Sequence, residues 1–74
     1  MTTVYSQDSC PGCRGTERHL ERLGVPFTVV NVTQDAAAGE FVRSLGARST
    51  PVVVLESGVW WDGHRPDRLD ELAA

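Results

Sequence analysis

The spacing of apolar positions switches repeatedly between a two-residue alternation and a helical repeat, and the switches divide the chain into short elements. Thr2–Ser6 alternates weakly and is predicted as a first strand. From Pro11 the period becomes helical: Leu20 and Leu23 share a face with Cys13 and Thr16, while Arg14, Glu17, Arg18, Glu21 and Arg22 form a mostly polar surface. Pro11 suits a first helical turn, where its missing N–H would have no intrahelical partner. Gly24 is a natural left-handed stop, and Pro26 prevents continuation. Phe27–Val32 is rich in β-branched residues and predicts a second strand. Thr33 is the candidate cap of a second helix, with Asp35 in its first turn. Ala38, Phe41, Val42 and Leu45 fall at i, i+3, i+4 and i+7 as its apolar stripe, and Gly46 ends it. Pro51–Leu55 is a continuous apolar run between turn signals, the pattern of a strand buried on both faces. Glu56-Ser57-Gly58 then turns the chain, so Val59–Trp61 is predicted to return antiparallel until Asp62-Gly63 breaks it. Pro66 opens a short last helix that carries Leu69 and Leu72 inward.

The order β-α-β-α-β-β-α predicts an α/β fold: a four-stranded mixed sheet with parallel pairing among the first strands, an antiparallel edge from the hairpin, and three flanking helices. There is no repeat or linker, and residues 1–74 read as one domain, near the lower size limit for folding without a staple. A hydrophobic content of 41% supplies a small core. The net charge is −3 and all seven basic residues are Arg, with no basic cluster, which argues against nucleic acid as a partner. Met1–Tyr5 lacks the basic and long apolar regions of a signal peptide, and no stretch approaches the roughly 18 apolar residues of a membrane span. A cytoplasmic protein with no membrane partner is expected.

Chemistry concentrates in Cys10-Pro11-Gly12-Cys13, between the first strand and the first helix. A bridge across two residues closes nearly the shortest loop available, so it adds little to stability in the chain-entropy model. A pair of thiols at a helix N-terminus is better read as a redox couple. Zinc needs three or four protein ligands, and beyond this pair the chain offers only His19 and His64, with no second C-x-x-C. No metal is expected. The thiolate is the nucleophile, and a free thiol titrates near about 8.5; at the N-cap of a helix, unpaired N–H groups and the dipole favour the ionised form. Cys10 at that cap is therefore the attacking sulfur. Cys13, one turn in and toward the core, resolves the mixed disulfide. Thr50-Pro51 is the second feature, a proline at the first residue of a buried strand, which costs a ladder hydrogen bond.

A strand, C-P-x-C, a helix and a late Thr50-Pro51 before a hairpin together resemble the thioredoxin superfamily, in its glutaredoxin branch. The resemblance implies a thioredoxin fold and a cis Pro51 facing the cysteine pair, with the Thr50 backbone open to an extended substrate segment. Trp61-x-Gly63-x-Arg65-Pro66-Asp67 is further similar to the W-S-G-F-R-P-D segment of the NrdH redoxins. These are glutaredoxin-like proteins that are reduced by thioredoxin reductase and that supply electrons to class Ib ribonucleotide reductase. The likeness spans essentially the whole chain, including Leu45-Gly46 and Pro51-Val52-Val53-Val54. Asp62 and His64 depart from the usual Ser and Phe, and Cys-Pro-Gly-Cys departs from the usual C-V/M-Q-C toward a glutaredoxin's C-P-Y-C. What it implies is a dithiol–disulfide oxidoreductase without a cofactor, monomeric, with thioredoxin reductase as donor and ribonucleotide reductase as acceptor. Cys10, Cys13, Thr50 and Pro51 would be its catalytic residues, and Pro11, Gly12, Arg14 and Thr50 would face the partner. Trp61, Gly63, Arg65, Pro66 and Asp67 would form a structural motif.

Glutathione-using and mycoredoxin-like glutaredoxins are the rival reading. Glutathione-using members have a Lys shortly before the C-x-x-C, an aromatic inside it, and a Gly-Gly followed by Asp after the fourth strand. Here Gln7, Gly12 and Trp61-Asp62-Gly63 stand in those places, although Arg14 and Arg48 offer cations. A rival of another class is an iron–sulfur or zinc carrier in which two chains pool their cysteines. Trp60 and Trp61 must point to opposite faces of their strand, with Trp61 assigned to the packed motif. Arg65 is expected to pin its loop to the last helix through backbone carbonyls. His19 and His64 are expected on the surface, as is the row Arg14, Arg18 and Arg22, of which Arg14 lies next to the thiols.

Overall fold

Alternation in β1 (Thr2–Ser6) sends Val4 and Ser6 to one face of the sheet and Tyr5 to the other, and both faces are covered. A computed structural model describes residues 1–73; Ala74, the last residue of the predicted 1–74 domain, lies outside the described residues. β1 pairs in parallel with β2 (Phe27–Asn31) and antiparallel with β3 (Val52–Val54), which pairs antiparallel with β4 (Trp60–Asp62). The strand order is β2-β1-β3-β4. Parallel pairing is thus confined to β1 and β2, and both hairpin strands, not one edge strand, run antiparallel to their neighbours.

Helix α1 (Pro11–Leu23) runs between the first two strands, α2 (Ala36–Leu45) follows β2, and α3 (Pro66–Asp70) continues into a 3-10 turn at Glu71–Ala73. The first two helices stop alike. Gly24 (φ 73°) and Gly46 (φ 93°) adopt the left-handed conformation that a Cβ disfavours. The next amides, of Val25 and Ala47, reach back to the carbonyls of Leu20 and Val42, satisfying orphan acceptors of the last turn.

One hydrophobic cluster, Val4, Leu20, Val53, Trp61 and Leu69, joins the sheet to α1 and α3, with Leu23, Val25, Phe27, Leu55 and Leu72 packed around it. On the opposite face, Tyr5 meets Phe41 of α2 at 5.5 Å between ring centroids. The two tryptophans divide as strand alternation requires: Trp61 is buried and Trp60 is half-buried. The Arg68 guanidinium lies 4.7 Å from the Trp61 ring centroid, closing the core from the α3 side. Arg68→Ala is expected to lower the melting temperature by about 2–8 °C, because a cation–π contact contributes about 0.5–1 kcal/mol in a domain of this size. No measurable shift would show that the stack contributes nothing.

The structure corrects several boundaries. The second helix is capped by Asp35, whose Oδ1 accepts the Ala38 N–H at 3.0 Å, and not by Thr33. Thr33 is taken up instead by a turn in which its N–H donates to Asn31 Oδ1 at 2.8 Å, and that turn also stops β2 one residue before Val32. The buried face of α2 is Ala38, Gly39 and Val42, while Phe41 keeps 40% exposure. Gly39 lies against the end of β2, where a Cβ would meet the Val32 carbonyl oxygen at an ordinary 3.8 Å. Phe41 packs at the rim on Tyr5 instead of beneath the helix. β3 is shorter than its apolar run, and β4 is shifted one residue along its own. β4 starts at Trp60 and keeps Asp62, which pairs with Val52, while Val59 is exposed beside the turn.

Candidate active site

The chain leaves β1 at Ser6 and must turn sharply to start α1, and polar side chains from the β2 end fix that turn. Asn31 Nδ2 donates to Asp8 Oδ1 at 2.9 Å, and the Asp8 N–H donates to Thr33 Oγ1 at 3.3 Å. The Val32 N–H closes the base of the turn on the Ser6 carbonyl at 2.8 Å. Ser9 then takes a left-handed backbone (φ 57°), uncommon for a residue with a Cβ, and Cys10 follows as the extended N-cap of α1 (φ −114°, ψ 97°).

Cys10 Sγ accepts the Cys13 N–H at 3.1 Å, an N-cap bond in which sulfur stands where Ser or Asp oxygen ordinarily does. It also lies 3.5 Å from Thr50 Oγ1. The two cysteines, 5.3 Å apart at Cα, are joined as a disulfide. Cys10 keeps 8% exposure against 1% for Cys13, so of the two sulfur-bearing residues Cys10 is the one that solvent reaches. Pro11 is exposed at the first helical position. Gly12 faces Pro51: a Cβ there would sit 3.4 Å from the proline Cδ. The Thr50–Pro51 peptide bond is cis, and Pro51 is buried behind the cysteine turn.

The Trp61–Asp67 segment braces this proline. Gly63 (φ 83°) donates its N–H to the Pro51 carbonyl at 2.8 Å, a position whose left-handed backbone suits glycine. Asp62 Oδ2 accepts the Arg48 N–H at 2.8 Å, and Arg65 Nε donates to the Asp62 carbonyl at 3.0 Å. Arg65, the N-cap residue of α3, thus ties the end of β4 and the following loop to the last helix through a backbone carbonyl, as expected. Pro66 and Asp67 are exposed in the first turn of α3, away from the cysteines.

Both histidines are more engaged than a surface assignment implies. His64 is exposed by area, yet its Nδ1 lies 2.9 Å from Thr16 Oγ1, a fully buried hydroxyl one turn beyond Cys13, and its ring covers Gly15. The His19 side chain keeps only 17% exposure and contacts Asp70 Oδ1 at 2.7 Å. Among the described residues no group of three His, Cys, Asp or Glu side chains is placed to hold a metal ion.

Two clefts open on either side of Pro11 and share Cys10. The first, of about 510 Å³, is walled by Gln7, Arg43, Arg48 and Thr50. The second, of about 460 Å³, is walled by Arg14, Gly15 and Arg18. The arrangement brings Cys10, Cys13, Thr50, Pro51, Pro11, Gly12 and Arg14 together and sets Trp61, Gly63 and Arg65 behind them. Sequence reasoning missed the Asp8, Asn31 and Thr33 bracket, as well as Arg18 and Arg43. The Asn31-x-Thr33 spacing was the available signal, since Asn readily binds the backbone amide two residues on.

A family model described as glutaredoxin matches residues 2–60 of the chain. The chain is 36% identical over 70 residues to the glutaredoxin-like protein NrdH of Escherichia coli K12, covering 95% of this chain and 85% of that protein. It is 30% identical over 73 residues to the glutaredoxin-like protein NrdH of Lactococcus lactis subsp. cremoris, covering 99% of this chain and all, 100%, of the relative. Among solved structures, the glutaredoxin-like NrdH-redoxin of Escherichia coli superposes with a TM-score of 0.91 at 35% identity, over 96% of this chain and 92% of that one.

Proposed function

The chain belongs to the glutaredoxin family, and on that premise we propose that its Cys10–Cys13 couple carries electrons from thioredoxin reductase to a disulfide of a class Ib ribonucleotide reductase. The thioredoxin fold, the NrdH likeness and the cysteine pair make the protein a thiol–disulfide oxidoreductase. The donor and the acceptor are the proposed part.

One observation carries the assignment of roles: Cys10 caps α1, receives the Cys13 N–H on its sulfur and is the more exposed cysteine. In the reduced protein the same N–H and the dipole of a 13-residue helix favour a thiolate at Cys10. That thiolate attacks one sulfur of the target disulfide, forming a mixed disulfide and releasing the other target sulfur as a thiolate that takes up a proton. Cys13 loses its proton and attacks Cys10 Sγ, forming the Cys10–Cys13 bond and expelling the second target thiol. Two electrons leave the protein and two thiols form on the target, one of their protons matching that lost by Cys13 and the other coming from the solvent that took the Cys10 proton on ionisation. Thr50, with Oγ1 at 3.5 Å from Cys10 Sγ, is positioned to steady the charged sulfur, and its backbone borders the cleft where an extended target segment would lie. Pro11 and Gly12 would form the exposed lip against which that segment rests.

Support for the donor comes from the NrdH relatives, one of them described by its thioredoxin-like activity profile, and from the residues around the sulfur. Gln7, not a Lys, stands before the cysteine turn, and Gly12 puts no aromatic ring beside it. Each charge-assisted contact that glutathione would forgo is worth about 1.5–3 kcal/mol, about tenfold or more in rate. With NADPH oxidation as the readout and an insulin or ribonucleotide reductase disulfide as acceptor, thioredoxin reductase is expected to support turnover at least about tenfold faster than glutathione with its reductase. Turnover with glutathione alone would replace this donor by glutathione.

A further inference from the structure

Charge is distributed unevenly around Cys10. The chain carries ten Asp and Glu residues against seven Arg, yet no acidic residue lines either cleft, whereas four arginines do. Arg14 and Arg18 come from α1 on one side of the sulfur, and Arg43 and Arg48 come from α2 and the loop after it on the other. Among the described residues the ion pairs are Met1 with Glu56 and His19 with Asp70, so none of these four guanidinium groups has a carboxylate partner.

Glu17, Glu21 and Glu40 stand three positions along their helices from Arg14, Arg18 and Arg43 but form no ion pair with them, and two other carboxylates beside the site make other contacts. Asp8 accepts from Asn31 Nδ2, and Asp62 accepts the backbone N–H of Arg48 while leaving that side chain in the cleft. Arg43 lies back along its helix, its guanidinium at an ordinary contact distance of 3.6 Å from where a Cβ on Gly39 would be, and lines the cleft wall. The helix N-terminus at Cys10 adds positive potential of the same sign. An acidic protein that surrounds its one reactive sulfur with unpaired arginines on both sides repels cationic segments and draws anionic ones.

We propose that the partner segment this site takes is an acidic polypeptide stretch carrying the target disulfide, with carboxylates on both sides of it, one flank over Arg14 and Arg18 and the other over Arg43 and Arg48. This rests on the reading of Cys10 as the attacking sulfur. The chemistry is the exchange already described: the peptide disulfide gains two electrons and two protons to become a dithiol, and Cys10 and Cys13 become the disulfide.

The test uses the whole reduced protein in single turnover with three synthetic peptides. All share one intramolecular disulfide and differ only in flanks of Glu, Gln or Lys. The Glu-flanked peptide is expected to be reduced fastest and the Lys-flanked one slowest. Because each exposed charge contact changes the rate by about two- to fivefold, the two should differ by about tenfold or more at low salt. The difference should collapse as salt rises from about 0.01 M to 1 M and the Debye length shrinks from about 30 Å to about 3 Å. The ratio of Glu-flanked to Gln-flanked rates should fall about two- to fivefold in Arg43→Gln/Arg48→Gln and again in Arg14→Gln/Arg18→Gln. Equal rates for the three peptides at low salt, or a ratio untouched in both double variants, would overturn the acidic partner while leaving the couple intact. Failure to reduce any of the three would instead overturn the couple, and the partner class with it.

Discussion

Cys13→Ser, offered an oxidised protein disulfide, is expected to accumulate as a mixed disulfide through Cys10, and Cys10→Ser to form none. Turnover in both variants should drop to the uncatalysed rate, because neither a lone attacking sulfur nor a lone resolving sulfur completes a two-electron exchange. The asymmetry follows from position. Cys10 has the helix N–H on its sulfur and a path to solvent, whereas Cys13 is 1% exposed beneath it. The same asymmetry sets the order of alkylation: limiting iodoacetamide near pH 7 should modify Cys10 first in the reduced wild type. Mass spectrometry reads both results. Capture of the target by Cys13, or its earlier alkylation, would reverse the two roles.

That asymmetry was already legible in the sequence because its causes are local. Pro11 can only open a helix, so the residue before it becomes the cap, and a cysteine three residues on must fall on the inner face with Thr16 and Leu20. Alternation forces Trp60 and Trp61 to opposite faces, the motif that begins at Trp61 pointed to it as the packed one, and its pairing with Val53 places it in the core. What escaped was decided by contacts distant in sequence. Thr33 and Asp35 are both competent caps; Asn31 and Asp8 engage Thr33 and leave the role to Asp35. Helical period places Phe41 on the apolar stripe, but it packs on the ring of Tyr5 and stays at the rim. Asp62 is a strand breaker by composition and remains in β4 because it pairs with Val52 and holds the Arg48 amide. The arginine walls show the same limit in part: Arg14 and Arg48 were legible as cations for the site, but Arg18 read only as a helix surface and nothing near Arg43 in the chain announces that it lines a cleft beside Cys10.

Leu20→Ala carries the largest expected cost in stability. Leu20 is fully buried at the centre of the single cluster, where α1 meets Val4, Val53, Trp61 and Leu69. Truncating a leucine in such a place costs about 2–5 kcal/mol, from lost transfer energy and the cavity left behind. At about 0.05–0.15 kcal/mol per residue, a chain of this length has about 4–11 kcal/mol in all. At the middle of these ranges the substitution removes about half of the stability. The urea midpoint of the oxidised protein should fall by a corresponding fraction with an unchanged slope, and the melting temperature by about 10 °C or more. Leu23, half-buried one turn fragment further along α1, is the internal comparison, and Leu23→Ala should cost distinctly less. Equal losses at the two positions would mean that the cluster is not centred where α1 crosses β1. The effect reaches the chemistry through the same helix, because Thr16 and Leu20 anchor the inner face from which Cys13 must rise to resolve the mixed disulfide. A Leu20→Ala protein held folded at low temperature should therefore still attack through Cys10, whose cap bond is local, but release its target more slowly than the wild type.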